Sequence, residues 1–182
     1  MLKFLIVGEG EIDIKVLPIF IKKIISGNPS CKPKKAGNKT KVLQKFPKWL
    51  NAFCNRGIDK TIVVVDQDDD CIKDIFLKMK NNIDGEKHDF TVKFHIIEKE
   101  IEAWLLADEI AISSVVNKNI NRIAGNLEDI KKAKEKLQQI LSGANKVYTT
   151  ELASKIANKV NIDTIGNRCP GFKRFQQSVL DC

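Results

Sequence analysis

Residues 61–65 read Thr-Ile-Val-Val-Val and run straight into Asp66, Gln67, Asp68, Asp69 and Asp70. A strand with one wet face alternates apolar and polar residues. One that does not alternate is covered on both faces, which is the mark of a central parallel strand. This stretch therefore commits the chain to a layered α/β arrangement and sets a crowd of carboxylates at the carboxyl end of its most buried strand.

The rest of the chain fits that frame. Leu2–Gly8 reads as a buried first strand. Ile14, Leu17, Ile21 and Ile24 recur at helical spacing, with Pro18 kinking the helix or delaying its start. Residues 26–41 are rich in Gly, Pro and Asn and read as a loop carrying Lys32, Lys34, Lys35, Lys39 and Lys41. Thr40 is the expected cap of a second helix bearing Leu43, Phe46, Leu50 and Phe53, with a kink at Pro47. A third helix is expected from about Asp70, a third strand over Thr91–Ile97, and helix again from residue 98. Beyond it Leu127, Ile130, Leu137 and Leu141 share a helical face, and Tyr148–Val160 and Phe172–Leu180 form shorter helices. The expected fold is a Rossmann-like, mainly parallel sheet flanked by helices. It forms one domain over 1–182, an α/β core to residue 107 and a helical extension over 108–182.

The 182 residues carry a net charge of +8, which favours an acidic partner such as nucleic acid. Five cysteines, an odd number with no C-x-x-C pair, signal neither a zinc site nor a disulfide framework, and most of them read as small buried apolar residues in a reducing cytoplasm. The apolar run at 2–7 is too short for a signal peptide, and no stretch has the length of a membrane span. No Walker A motif is present, so ATP binding through a P-loop is excluded.

In a parallel sheet, ligands bind beyond the carboxyl ends of the strands. Here all three predicted strand ends are acidic: Glu9, Glu11 and Asp13; Asp66, Asp68, Asp69 and Asp70; Glu98, Glu100 and Glu102. Crowded carboxylates repel one another and their pKa values rise, a cost that a divalent cation removes. Oxygen donors with no His or Cys among them select Mg²⁺ or Mn²⁺ over zinc. Asp66 and Asp68 can both face a metal where the strand turns into a loop, and Gly8 and Gly10 let the backbone beside Glu9 come close to a ligand. The plainer alternative is helix capping, above all for Asp13 and Asp70. Elsewhere, His95 is expected buried with its hydrogen bonds satisfied, His88 solvated, and Trp104 in the core.

Four segments in order, Gly8-Glu9-Gly10, "VVVDQDDD", "EIEAWLLAD" and "CPGFKRF", resemble the Toprim fold, the metal-binding α/β domain of type I topoisomerases, primases and the overcoming-lysogenization-defect nucleases. More closely they resemble a small stand-alone Toprim-like family, over Leu2 to about Leu180. The resemblance implies Mg²⁺- or Mn²⁺-dependent nuclease chemistry, with Glu9, Asp13, Asp66, Asp68 and Glu102 as metal ligands and Glu9 also as general base. It implies a basic residue for the phosphate charge, expected in Lys173 and Arg174, which fall in the first turn of a helix begun at Pro170–Gly171. Lys32, Lys34, Lys35 and Lys39 read either as a flexible arm for nucleic acid, DNA in preference to RNA, or as a solvated loop. A separately encoded ATPase and a role in phage defence belong to the same implication. The chain departs from the family pattern at Gly8 and in stacking Asp69 and Asp70 behind the D-x-D pair. Two other functions stand beside the nuclease: a non-catalytic metal-binding module working through a partner, and a phosphatase of the haloacid dehalogenase kind. The latter also uses D-x-D, but has Thr or Val where Asp70 stands.

Overall fold

A computed structural model describes residues 1–25 and 27–181; Cys182 lies outside them. Four parallel strands, β1 (Lys3–Gly8), β2 (Ser30–Lys35), β3 (Lys60–Asp66) and β4 (Thr91–Ile97), form one sheet in the order β2-β1-β3-β4. The crossovers are α1 (Glu11–Ile24), α2 (Lys39–Phe53) and α3 (Ile72–Asn81). The chain continues through α4 (Glu102–Leu106), α5 (Glu109–Val116), a 3-10 turn at Leu127–Asp129, α6 (Ala133–Gly143), α7 (Thr150–Lys159), α8 (Ile162–Arg168) and α9 (Pro170–Leu180).

The unbroken apolar strands are explained by burial on both faces. Leu5, Val7, Val63 and Val65 point to one side, into a core with Val42, Phe46 and Leu50 of α2 and Ile75 and Met79 of α3. Their neighbours Phe4, Ile6, Ile62 and Val64 point to the other side, against α1 and the helices after β4. That second core holds the largest rings. Trp104 is fully buried, with Phe172 edge-on at 5.1 Å between centroids and Phe175 at 5.4 Å. Phe20 of α1 meets Phe172 at 5.3 Å. Aromatic contacts of this geometry add to the area they bury, so the helical extension forms one face of the sheet's own core.

Several expectations need correction. Residues 30–35 are strand β2, paired in register with β1 from Lys3↔Ser30 to Gly8↔Lys35. Its sequence, Ser-Cys-Lys-Pro-Lys-Lys, is acceptable because β2 is an edge: proline and lysine are what edge strands carry to discourage further pairing. Asn38, not Thr40, caps α2, its Oδ1 accepting from Lys41 N at 2.9 Å. The long helix expected after residue 98 is broken by Asp108, which caps α5 by accepting from Ala111 N at 3.0 Å and also accepts from Asn161 N at 2.8 Å. Helix α1 runs on through Pro18. Cys169 is buried, but Cys31 and Cys54 are only half-buried and Cys71 is exposed. The His88 side chain is 5% exposed rather than solvated, its ring beside Phe90. His95 is buried as expected, yet its Nε2 has no hydrogen-bond partner among the described residues. Burial first, then the charge of Arg174, holds its pKa down to about 3. Among the described residues, no helix is long and apolar enough to cross a membrane.

Candidate active site

Strand order reverses direction between β1 and β3: the chain moves outward from β1 to β2, then returns to the far side of β1. Such a switch point opens a crevice at the strand carboxyl ends, and here Glu9 and Asp66 close it. Glu9 Oε1 accepts from the Asp66 backbone N–H at 2.8 Å. Asp13, on the first turn of α1, reaches back so that its Oδ2 accepts from Glu9 N at 3.0 Å and Gly10 N at 2.8 Å. It is thus a helix cap and a buried wall of the crevice together. Gly8 is required for this: a Cβ there would lie 2.8 Å from Asp13 Cβ.

From β4, Glu102 enters on the single turn of α4, 5% exposed, with Oε1 accepting from the Tyr148 hydroxyl at 2.9 Å. Glu100 accepts from Lys134 N at 2.8 Å. Glu9, Glu11, Asp13, Asp66, Glu100 and Glu102 thereby line one cleft of about 420 Å³, closed on its far side by Lys134 and Thr150 of the helical extension.

The electrostatics follow. Burial, and after it the charges of Asp13, Glu9, Glu102 and Asp68, push Asp66 up to about 9. Burial likewise raises Glu9 and Glu102, against hydrogen bonds from Asp66 N and Tyr148 respectively. Asp13 is raised by burial despite its two amide donors. Tyr148 is pushed far up, by burial and then by Glu102. The largest charge effects on Asp66 all come from acids, while Lys39 acts on Glu9 and Lys134 on Glu102, so the carboxylates of the cleft are only partly compensated. The carboxylates line a common cleft, but among the described residues no three His, Cys, Asp or Glu side chains stand close enough together to hold a metal ion as they are placed.

A profile of a domain family described as "Domain of unknown function (DUF4276)" matches residues 10–180. The chain belongs to the DUF4276 family. No curated protein and no solved structure matches it.

Within this DUF4276 domain the predicted site residues divide. Glu9, Asp13, Asp66 and Glu102 come together in the cleft. Asp68 does not: it sits in a left-handed turn (φ 52°) and pairs with Lys39 Nζ at 2.7 Å, outside the cleft lining. Lys39, only 14% exposed, also holds Asp70 Oδ2 at 2.7 Å and the Gln67 carbonyl at 2.9 Å. Burial opposes its charge, but the bonds to Asp68 and Asp70 outweigh it and raise its pKa. Lys39 is thus the acidic loop's own counter-ion. Lys35 is spent on Glu11 at 2.6 Å, and Lys32 and Lys34 lie over the Phe53 ring at 5.6 and 5.3 Å, in an ordered strand rather than a flexible arm.

Neither Lys173 nor Arg174 lines the cleft. Arg174 pairs with Glu98, and Lys173 borders a separate depression with Asp163 and Gln176. The anion at the start of α9 is the protein's own Glu128, buried, accepting from Gly171 N at 2.7 Å and from Trp104 Nε1 at 2.8 Å. A Cβ at Gly171 would lie 2.4 Å from Glu128 Oε1. The "CPGFKRF" segment of this DUF4276 chain therefore joins α9 to α4. Tyr148 and Glu128 were missed in the sequence, and Lys134 reads there as part of a solvated lysine face with Lys131, Lys132 and Lys136. Each lies in a polar stretch of the extension, where nothing local distinguishes it from a solvated residue.

Proposed function

We propose that the chain hydrolyses phosphodiester bonds of a nucleic acid in a reducing cytoplasm, with Mg²⁺ or Mn²⁺ held by Glu9, Asp66 and Glu102, as the resemblance to Toprim nucleases implies. The observation that carries the reading is Asp66, pushed up to about 9 by burial and then by the charges of Asp13, Glu9, Glu102 and Asp68. A fold that buries carboxylates side by side meets a cost that a divalent cation removes. When bound, the metal supplies charge stabilisation at a phosphoryl oxygen and a water of lowered pKa.

The chain's own residues do the rest. Asp13 fixes the Glu9 backbone through two amides. Glu9 Oε1 is committed to Asp66 N, which leaves Oε2 alone to serve the ion or, in the general-base role that the resemblance implies, to take the proton from the attacking water, and burial raises the pKa of this carboxyl. Tyr148 orients Glu102. Lys134, the lysine on the cleft wall, takes the role of offsetting phosphate charge first expected of Lys173 and Arg174. Asp68 joins the site only by leaving Lys39. A separately encoded ATPase is the partner this reading carries with it.

The test is plasmid cleavage by the purified chain in EDTA, Mg²⁺ or Mn²⁺. Cleavage is expected only with metal, and Glu9→Gln and Asp66→Asn should each abolish it. Cleavage that survives EDTA or Asp66→Asn refutes the reading. Thermal stabilisation by Mn²⁺ without cleavage favours the non-catalytic metal-binding module, a reading supported by Asp68's attachment to Lys39.

A further inference from the structure

Residues 14–58 contain eleven lysines and arginines and no aspartate or glutamate. The whole chain carries +8, so the remainder is net acidic and the basic charge belongs to this segment. It folds into α1, the edge strand β2 and α2.

Of these cations Lys32, Lys34, Lys41, Lys45 and Lys48 lie along β2 and α2, while Lys15, Lys22 and Lys23 belong to α1 on the other face of the sheet. Val42, Phe46 and Leu50 turn α2's buried face to the sheet. Lys41, Lys45 and Lys48, at i, i+4 and i+7, share the exposed flank. Lys45 Nζ reaches the Ala36 carbonyl just beyond β2 at 3.0 Å, so this flank faces the strand. On β2, Lys32 and Lys34 stand two residues apart on one side, their ammonium groups held over Phe53 near the end of α2. Trp49, half-buried one helical turn before Phe53, lies on the same side. The two elements run together to the carboxylate cleft: Gly37, which follows β2, lines it, and Lys39 opens α2 at its rim.

We infer that this surface is a docking lane for a nucleic-acid backbone, seated by Lys32, Lys34, Lys41, Lys45 and Lys48 and leading one strand into the cleft. At a rise of ~1.5 Å per residue, the 15 residues of α2 give the lane a length of about 22 Å. One duplex strand carries a phosphate for every ~3.4 Å of helix axis, so about six lie alongside that length, enough to engage five cations. The choice of polyanion rests on the phosphodiesterase reading; the lane itself rests on charge and geometry.

The experiment is binding of labelled DNA, duplex and single-stranded, by fluorescence anisotropy in EDTA across a salt series. Five phosphate contacts give a log–log slope of about −4.5 on duplex, a loss of about 500-fold between about 50 and about 200 mM salt. The triple variant Lys41→Ala, Lys45→Ala, Lys48→Ala leaves two contacts and should fall to about −1.8, or about 12-fold over the same range. Its circular dichroism should be unchanged, because all three residues are exposed, and its melting should fall only by the loss of the one Lys45 Nζ bond to the Ala36 carbonyl. An unchanged slope overturns the lane, as does binding to phosphatidylserine vesicles in place of either oligonucleotide. Because no metal is present, the outcome is independent of cleavage. A reduced slope with no nuclease activity leaves the lane standing and removes the hydrolase; cleavage with an unchanged slope does the reverse.

Discussion

Replacing Asp66 with asparagine should make the metal-free protein more stable. In the fold Asp66 titrates at about 9, against about 3.9 in the unfolded chain. A carboxyl whose folded pKa is raised contributes its full stability only below the unfolded value. As pH climbs from about 4 towards about 9 the unfolded chain gives up its proton while the folded one keeps it, and stability drains away. At pH 7 about three units of that interval have been crossed, which at 1.36 kcal/mol per unit sets a ceiling of about 4 kcal/mol. Asp66 is half-buried at the mouth of an open cleft, so solvent screening reduces this, and ~2 kcal/mol is expected. For a chain of this size that raises the melting temperature by ~4–8 °C. The assay is calorimetric or fluorescence melting of wild type and Asp66→Asn in EDTA from pH 4 to pH 9. The gap should be near zero at the acid end and widen with pH. A variant that melts well below wild type at pH 7, or a gap that does not grow with pH, refutes the argument that Asp66 sits in an acidic field only partly compensated.

Millimolar Mg²⁺ or Mn²⁺ should raise the wild-type melting temperature, by the equivalent of about 2.7 kcal/mol at a hundred times Kd, and Asp66→Asn should lose the shift; zinc should give no comparable effect. Gly8→Ala should destabilise by ~1–3 kcal/mol in chemical denaturation, because its Cβ would meet Asp13 Cβ at 2.8 Å. Glu128→Ala should cost ~2–5 kcal/mol by stranding two buried donors, Trp104 Nε1 and Gly171 N, with Trp104 fluorescence following the loss. Lys173→Ala should leave plasmid cleavage within about twofold of wild type, whereas Lys134→Ala should reduce it by tenfold or more, the loss of about 1.4 kcal/mol of transition-state stabilisation.

The sheet's centre was legible because a parallel strand buried on both sides writes its environment into a contiguous segment, as Thr61–Val65 does. The edge strand was not: Ser30–Lys35 is strand because β1 offers it a ladder, and nothing in Ser-Cys-Lys-Pro-Lys-Lys announces that partner. The acids at the strand ends were legible by position, but Asp66 and Asp68 could not be told apart. What separates them is Lys39, 29 residues upstream of Asp68 and on another element. Glu128 was illegible for the same reason, its two partners lying 24 and 43 residues away. Lys173 and Arg174 were misplaced because a basic pair at a helix start suggests an external anion, whereas the helix already has an internal one.

Lys39's grip on the acidic loop has a consequence for how the cleft and the loop beside it fluctuate. Glu102 is two residues from the fully buried Trp104, on a turn whose every residue is buried. The amides of that turn should exchange with solvent only when the whole molecule unfolds. The acidic loop beside the cleft, Gln67–Asp70, is tied to β4 by the Gln67 N–H to the Ile97 carbonyl and otherwise leans on Lys39 and Lys99, with Asp68 and Asp70 side chains 65% and 60% exposed. Its amides should exchange through local opening, at rates that rise with salt as the ion pairs are screened. Whatever rearrangement draws Asp68 towards the other carboxylates is therefore confined to four residues of one loop, while the wall carrying Glu102 stays fixed as the reference against which it moves.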